Sequence, residues 1–219
     1  MKIILPVLAA CVLAVGCKHP DRESAEIPRG RKAVSLFDGK TFRGWEGDIE
    51  KTWRIENGAL IGGSLNSTVP HNEFLCTERQ FTNFVLRLKW KLAGTQGFVN
   101  AGVQVRSQRV PNHFEVSGYQ VDLGDPGWWG CLYDKSRRNK VLAQSDMAKL
   151  IPVLKRDDWN DYEIRCEGKR VQAWLNGQQT FDYIEADDSI EQWGVIALQI
   201  HGGGKAEASY RDIFIRELP

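Results

Sequence analysis

The sequence is poor in cysteine, and its few cysteines carry no metal-binding or disulfide pattern. Of five, two fall within the first 17 residues; Cys76, Cys131 and Cys166 remain, an odd number with no CxxC or CxH spacing. That gives a zinc site or a dense disulfide framework no support and allows one bridge at most. An excess of one charge is also missing. With 29 Lys and Arg against 28 Asp and Glu, the net charge is +1, so no electrostatic surplus draws the chain to nucleic acid or to anionic lipid. Gly202-Gly203-Gly204 lacks the Lys-Ser/Thr pair and the following helix of a phosphate loop. Long helical periods are absent, and no apolar run approaches the roughly 20 residues that a permanent membrane helix needs.

What is present begins with an export signal. Met1 to Gly16 has one early lysine, Lys2, then the apolar run Ile3–Ala10 and small residues leading to Cys17, the layout of a bacterial secretory leader. Leu13-Ala14-Val15-Gly16-Cys17 is similar to a lipobox, whose small residues admit the peptidase to the bond before an acylated cysteine. Leu8-Ala9-Ala10-Cys11 fits even better by residue type but leaves an unusually short apolar run, so Cys17 is the expected lipidation site. Lys18–Lys32 is charged, carries Pro20, Pro28 and Gly30, and has no apolar period. Residues 17–32 therefore read as a flexible tether. The expectation is a protein held by a lipid anchor to a membrane of the bacterial cell envelope, with residues 33–219 as one folded domain.

Within that domain the period is two. Phe84, Leu86, Leu88, Trp90 and Leu92 share one face of a strand whose other face carries Arg87, Lys89 and Lys91. Tyr162–Glu167 repeats the alternation, and Arg170–Leu175 is followed by Asn176-Gly177, the pair that supplies the positive φ angles of a type I′ hairpin. Asn57-Gly58 predicts a second such turn. Many short strands with frequent turn signals indicate an all-β fold, an antiparallel sandwich or jelly roll.

Three predicted strands break the pattern of long solvated charges. Gln104 and Arg106, Gln120 and Asp122, and Gln199 and His201 occupy alternate positions, so each pair projects from one face of its strand. If the strands share a sheet, that face offers amides, a guanidinium, a carboxylate and an imidazole, a set able to hydrogen-bond many hydroxyls at once. The following loop, Gly124-Asp125-Pro126-Gly127-Trp128-Trp129-Gly130, could lay Trp128 against a sugar ring. The polar cluster Tyr133–Lys140 beside it, with Asp134 and Arg137, reads as a rim of the site or as a solvated turn.

With these residues laid out, a resemblance covers nearly the whole domain. Leu36-Phe37-Asp38-Gly39-Lys40 with Gly44-Trp45, then Phe98–Ser107 beginning Phe-Val-Asn100, Gly118–Asp122, Trp174–Gly177 and Ile196–Gly203 occur in an order and spacing similar to the 3-keto-disaccharide hydrolase family. The resemblance implies a concanavalin-like jelly roll and cleavage, by hydrolysis or β-elimination, of sugars already oxidised at C3. In such chemistry the ketone acidifies the C2 hydrogen, a base removes it, and the C1 substituent leaves from the enolate. On that footing His201 is the first candidate for the base, with Asp122 orienting it or acting itself. Glu78 and Asp134 are candidates for the acid on the leaving group, Arg106 for the enolate stabiliser, and Gln104, Gln120, Gln199, Asn100, Arg137 and Trp128 for substrate contacts. A divalent metal held by His201, Asp122 and another carboxylate is an alternative. The same amide face and tryptophan would equally serve a lectin that binds carbohydrate without chemistry.

Overall fold

The computed structural model describes residues 32–219; the export signal, Cys17 and residues 18–31 lie outside the described residues. In chain order the strands are β1 (Val34–Ser35), β2 (Trp45–Glu46), β3 (Trp53–Glu56), β4 (Ala59–Ser64), β5 (Glu73–Phe81), β6 (Phe84–Gly97), β7 (Asn100–Arg109), β8 (Val116–Gly124), β9 (Leu132–Lys135), β10 (Lys140–Ala143), β11 (Asn160–Glu167), β12 (Arg170–Leu175), β13 (Gln178–Ile184), β14 (Gly194–Ile200) and β15 (Gly204–Glu217). A single helical turn, α1 (Met147–Leu150), is capped by Asp146, whose side chain accepts from the Ala148 amide.

The strands form two antiparallel sheets, one in the order β13-β12-β11-β6-β15-β4-β3 with β1 added against β15, the other β10-β9-β8-β7-β14-β5-β2. The fold class read from the sequence is the one observed. β6 buries Phe84, Leu86, Leu88, Trp90 and Leu92 and turns Arg87 outward, as its alternation requires. Both Asn-Gly pairs close hairpins with positive φ, 50° and 73° at Asn57-Gly58 and 47° and 81° at Asn176-Gly177. The inner faces of the two sheets meet in one core that includes Trp53, Trp90, Tyr162, Tyr210 and Ile196. Cys76, Cys131 and Cys166 are buried and unbridged.

β7, β8 and β14 behave differently from β6. They are buried on both faces over most of their length: one face enters the core, and the other supports a small apolar cluster of Phe74, Cys76, Val116, Val195 and Ala197 beside a polar patch. The β7–β8 connection folds against this outer face. Phe114 stacks on His71 at 4.1 Å, and Glu115 accepts from Asn72 Nδ2 at 2.6 Å.

Candidate active site

Strand register builds the patch as rungs. Asp122 stands opposite Gly102 and Gly102 opposite Gln199; Gln120 stands opposite Gln104 on one side and Tyr133 on the other. Gly102 is where Gln120 finds room, because a Cβ there would lie 2.7–2.9 Å from Gln120 Cγ, Cδ and Nε2. Gly124 does the same for Asn100, whose Nδ2 would sit 2.9 Å from an added Cβ.

The buried amides form a directed chain that ends on a carboxylate. Ser107 Oγ donates to Gln104 Oε1 at 2.9 Å, Gln104 Nε2 to Gln120 Oε1 at 2.9 Å, and Gln120 Nε2 to Asp122 Oδ1 at 2.6 Å. Each donor polarises the next. The Asn100 amide and the Cys131 thiol, 3.8 Å from Oδ2, also point at Asp122. All of these donors are neutral. Burial outweighs them and pushes the Asp122 carboxyl up to about 7, against the pull of the amides and the more distant Lys135.

Asp122, Gln120 and Asn100 floor a hollow of about 110 Å³ whose walls are Phe98, Trp128, Tyr133, Lys135 and His201. Trp128 stands edge-on to Tyr133 at 5.9 Å, and Phe98 edge-on to His201 at 4.6 Å. His201 Nδ1 lies 2.7 Å from the Gly202 carbonyl oxygen, which can only accept, so the proton sits on Nδ1 and Nε2 keeps its lone pair. Partial burial lowers the His201 pKa below the ordinary imidazole value, leaving the ring neutral and basic near pH 7. Behind the hollow, Glu115 Oε2 accepts from Ser136 Oγ at 2.9 Å and lies 3.6 Å from Lys135 Nζ.

Of the residues singled out from the sequence, Asp122, His201, Gln120, Asn100 and Trp128 converge here. Asp122 does not orient His201, whose Nδ1 is taken by backbone. Gln104 and Gln199 are fully buried and stand behind the hollow; Gln199 Nε2 is 3.5 Å from Asn72 Oδ1. Arg106 lies elsewhere. A bulge between Val105 and Gln108 gives it φ +49° and swings it off the polar face; its guanidinium binds the Thr82 and Gly168 carbonyls and Gln192 Oε1, each at 2.7 Å. It joins the two sheets at their edge.

Asp134 projects to the opposite side of β9 from Tyr133 and Lys135, and is held by Arg138 and by Arg137 Nε at 2.8 Å. Arg137 is thereby engaged as well, with its guanidinium 4.5 Å over the Tyr119 ring. Glu78 is exposed on β5, four residues past Phe74, the residue level with Gln199, and three strands across from Asp122. Sequence reasoning gave Phe98 and Cys131 no role at the site, and it named Tyr133 and Lys135 only within the polar cluster that reads as a rim or a solvated turn, choosing Asp134 from it; period two on β9 sets Tyr133 and Lys135 on the side opposite Asp134. A metal would need a third ligand beside His201 and Asp122, and among the described residues no three His, Cys, Asp or Glu side chains gather in that way.

With the geometry in hand, the chain can be set beside known proteins. Residues 32–216 match the 3-keto-alpha-glucoside-1,2-lyase-like domain. The chain belongs to this family. A 3-keto-disaccharide hydrolase from Bacteroides thetaiotaomicron is 24% identical over 195 residues, a match covering 80% of this chain and 66% of that protein. This family member thus spans just under two thirds of that relative's length. Among solved structures, a Parabacteroides distasonis protein described as a glycosyl hydrolase superposes with a TM-score of 0.67 at 20% identity, covering 85% of this chain and 94% of the other. The carbohydrate-binding module CBM66 of Bacillus subtilis gives 0.62 at 14% identity, covering 80% and 96%. A galectin-like protein of Bacillus subtilis gives 0.60 at 11%, covering 85% and 94%. These likenesses concern the fold.

Proposed function

We propose that this family member cleaves 3-keto-glycosides at the hollow floored by Asp122. The observation that carries the reading is a pair of titratable groups in one hollow whose pKa values suit acid–base work near neutrality: a carboxyl raised to about 7 and an imidazole lowered below its usual value. The base has the lower pKa of the two, so in the interval between them His201 is neutral and Asp122 protonated. His201 Nε2 takes the C2 proton of the keto sugar. The electrons of that C–H bond form the enolate, and Lys135 Nζ donates to its oxygen. The C1–O bond then breaks as Asp122 passes its proton to the departing oxygen. Hydration runs the same steps backward: Asp122 carboxylate takes a proton from water as the oxygen adds to C1, and protonated His201 returns a proton to C2. Trp128 packs against the ring, and Gln120 and Asn100 hold hydroxyls while keeping Asp122 in place.

A lectin would use the same walls, but binding alone needs no poised acid and base. The test is turnover of a 3-keto-glucoside: His201→Ala and Asp122→Asn should fold and lose the activity. Wild-type rates in both variants would refute the site, and binding of the keto sugar without turnover by the unaltered protein would favour the lectin.

We also propose that the chain works at the bacterial cell envelope, anchored through Cys17. Cys17→Ser should release it from the membrane fraction.

A further inference from the structure

The triple-glycine turn after β14 is held by residues 69–72, a segment that does not line the hollow at Asp122. Gly203 N–H donates to the Val69 carbonyl at 2.8 Å, Val69 N–H donates back to the Gly204 carbonyl at 3.1 Å, and Gly202 N–H donates to Asn72 Oδ1 at 3.2 Å. A Cβ on Gly202 would lie 2.6 Å from His71 Cα, so glycine is what lets the two segments come this close. The same turn carries the Gly202 carbonyl that accepts from His201 Nδ1. Asn72 also reaches the other way. Its Nδ2 donates to Glu115 Oε1 at 2.6 Å, and Glu115 Oε2 accepts from Ser136 Oγ at 2.9 Å and lies 3.6 Å from Lys135 Nζ. The residues just before these two are joined as well, with the Phe114 ring stacked on His71 at 4.1 Å. A carboxylate only accepts and a peptide N–H only donates, which fixes the buried Asn72 amide in one orientation.

From this we infer that Asn72 and Glu115 are positioning residues for the proposed reaction, a brace that sets the separation between the base His201 and the enolate donor Lys135. The inference rests on that reaction and deepens it. His201 takes the proton from C2 while Lys135 donates to the oxygen on C3. In the sugar those two atoms are held at a fixed separation by covalent bonds, so base and donor must keep a matching spacing for both to come within reach together. The sheet does not enforce that spacing by itself. Lys135 ends β9 and His201 follows β14, with β8 and β7 between them, and the flexible four-carbon stem of a lysine leaves its ammonium wherever a partner holds it. Glu115 is the carboxylate at that ammonium, and Asn72 ties Glu115 to the turn that seats His201. Neither Asn72 nor Glu115 lines the hollow, so both act through the two groups they hold. Gly202-Gly203-Gly204, which has no phosphate loop to belong to, finds its use in seating the base.

The experiment measures kcat and KM for a 3-keto-glucoside in Glu115→Gln and Asn72→Ala, each made with Lys135 present and in a Lys135→Ala background. Glu115→Gln keeps an acceptor for Asn72 and takes the charge away from Lys135; being nearly isosteric, it serves should Asn72→Ala fold poorly. With Lys135 present, each variant should lower kcat about ten- to a hundredfold, the cost of a misplacement on the ångström scale, and leave KM near the wild-type value. In the Lys135→Ala background Glu115→Gln should lower kcat no further, and Asn72→Ala should keep only the part of its effect that passes through Gly202. A residue that merely packs would show the same loss in both backgrounds. Wild-type kcat in the folded variants, or losses of equal size with and without Lys135, overturns the brace while leaving the proposed reaction standing. Absence of turnover by the unaltered protein overturns the reaction and the brace together.

Discussion

Asp122 on β8 and Asp134 on β9 are both buried, 2% and 0% exposed, on adjacent strands of one sheet, yet they face opposite sides and have opposite surroundings. Asp134 is met by Arg137 and Arg138, and Arg138 continues to Glu185 with Nη2 2.6 Å from Oε2. Glu185 also accepts from the Tyr119 hydroxyl at 2.7 Å. Burial alone would raise the Glu185 carboxyl, but Arg138 and the Tyr119 hydroxyl hold it down at about 2. Asp122 is given amides and a thiol, and it rises to about 7. The counter-charge makes one cluster a structural tie and its absence leaves the other able to move a proton. Both acids came from the same kind of sequence reasoning, and only the company each keeps separates them.

The largest effect should come from taking the counter-charge away. Arg138→Ala leaves Asp134 and Glu185 buried without their shared cation, which should cost about 3–5 kcal/mol of stability, measured by urea unfolding. The pH dependence should then change in the acid range. Glu185, with a native pKa below its unfolded value, contributes stability that is present above about pH 4.5 and is lost as the pH falls toward 2. In Arg138→Ala that acid-side loss should shrink. An unfolding midpoint equal to the wild type would mean the cluster does not hold the sheet edge.

Asp122→Asn should do the reverse. Its native pKa lies above the unfolded value, so the stability it contributes is complete below about pH 4 and lost as the pH rises through about 7. Replacing it with an uncharged amide should leave the protein at least as stable at pH 8 as the wild type, while turnover of a 3-keto-glucoside falls by about 10²–10⁴, the range for removing a general acid. In the wild type, kcat should decline on the alkaline side with a midpoint near 7 as Asp122 loses its proton, and on the acid side as His201 gains one. The alkaline limb should vanish from the residual activity of Asp122→Asn. A limb that persists there belongs to another group.

How far the sequence reached depends on where period two survives. It survives through β6, β8, β11 and β14, so the fold and the meeting of Gln120, Asp122 and His201 could be read as faces of strands, whereas Asn100 at the start of β7 came only from the family resemblance. It fails at Arg106, because a bulge adds a residue to β7 and redirects the side chain, and no local signal marks that position as a bulge. On β9 period two sets Asp134 apart from Tyr133 and Lys135, but nothing in four residues tells which of the two sides faces the hollow. Glu78 needed the order of strands across the sheet, which is set by long-range pairing and is invisible in one chain's local pattern. The space-making role of Gly102 and Gly124 follows only from the register that sets them beside Gln120 and Asn100.

Gly102→Ala tests whether the amide chain matters to Asp122, at a smaller scale. The new Cβ would lie 2.7–2.9 Å from Gln120, and overpacking of this kind costs about 1–3 kcal/mol. Displacing Gln120 removes a donor that lowers the Asp122 pKa, so the alkaline limb of kcat should move to higher pH. A comparable loss of stability with no movement of the limb would make the Ser107-Gln104-Gln120 chain a packing device without influence on the acid.

The smallest effect belongs to the rim, where neither cluster reaches. Trp128 is partly exposed and meets Tyr133 edge-on at 5.9 Å, so Trp128→Ala should shift stability by no more than about 0.5 kcal/mol. Losing its ring face should raise KM for the keto sugar about three- to tenfold, the worth of one aromatic contact, with kcat and both pH limbs in place. That split separates a residue that holds the sugar from those that carry its proton. A fall in kcat with KM unchanged would instead put Trp128 among the groups that position Asp122 or His201, and the boundary between binding wall and reacting floor would then run through the loop, not beneath it.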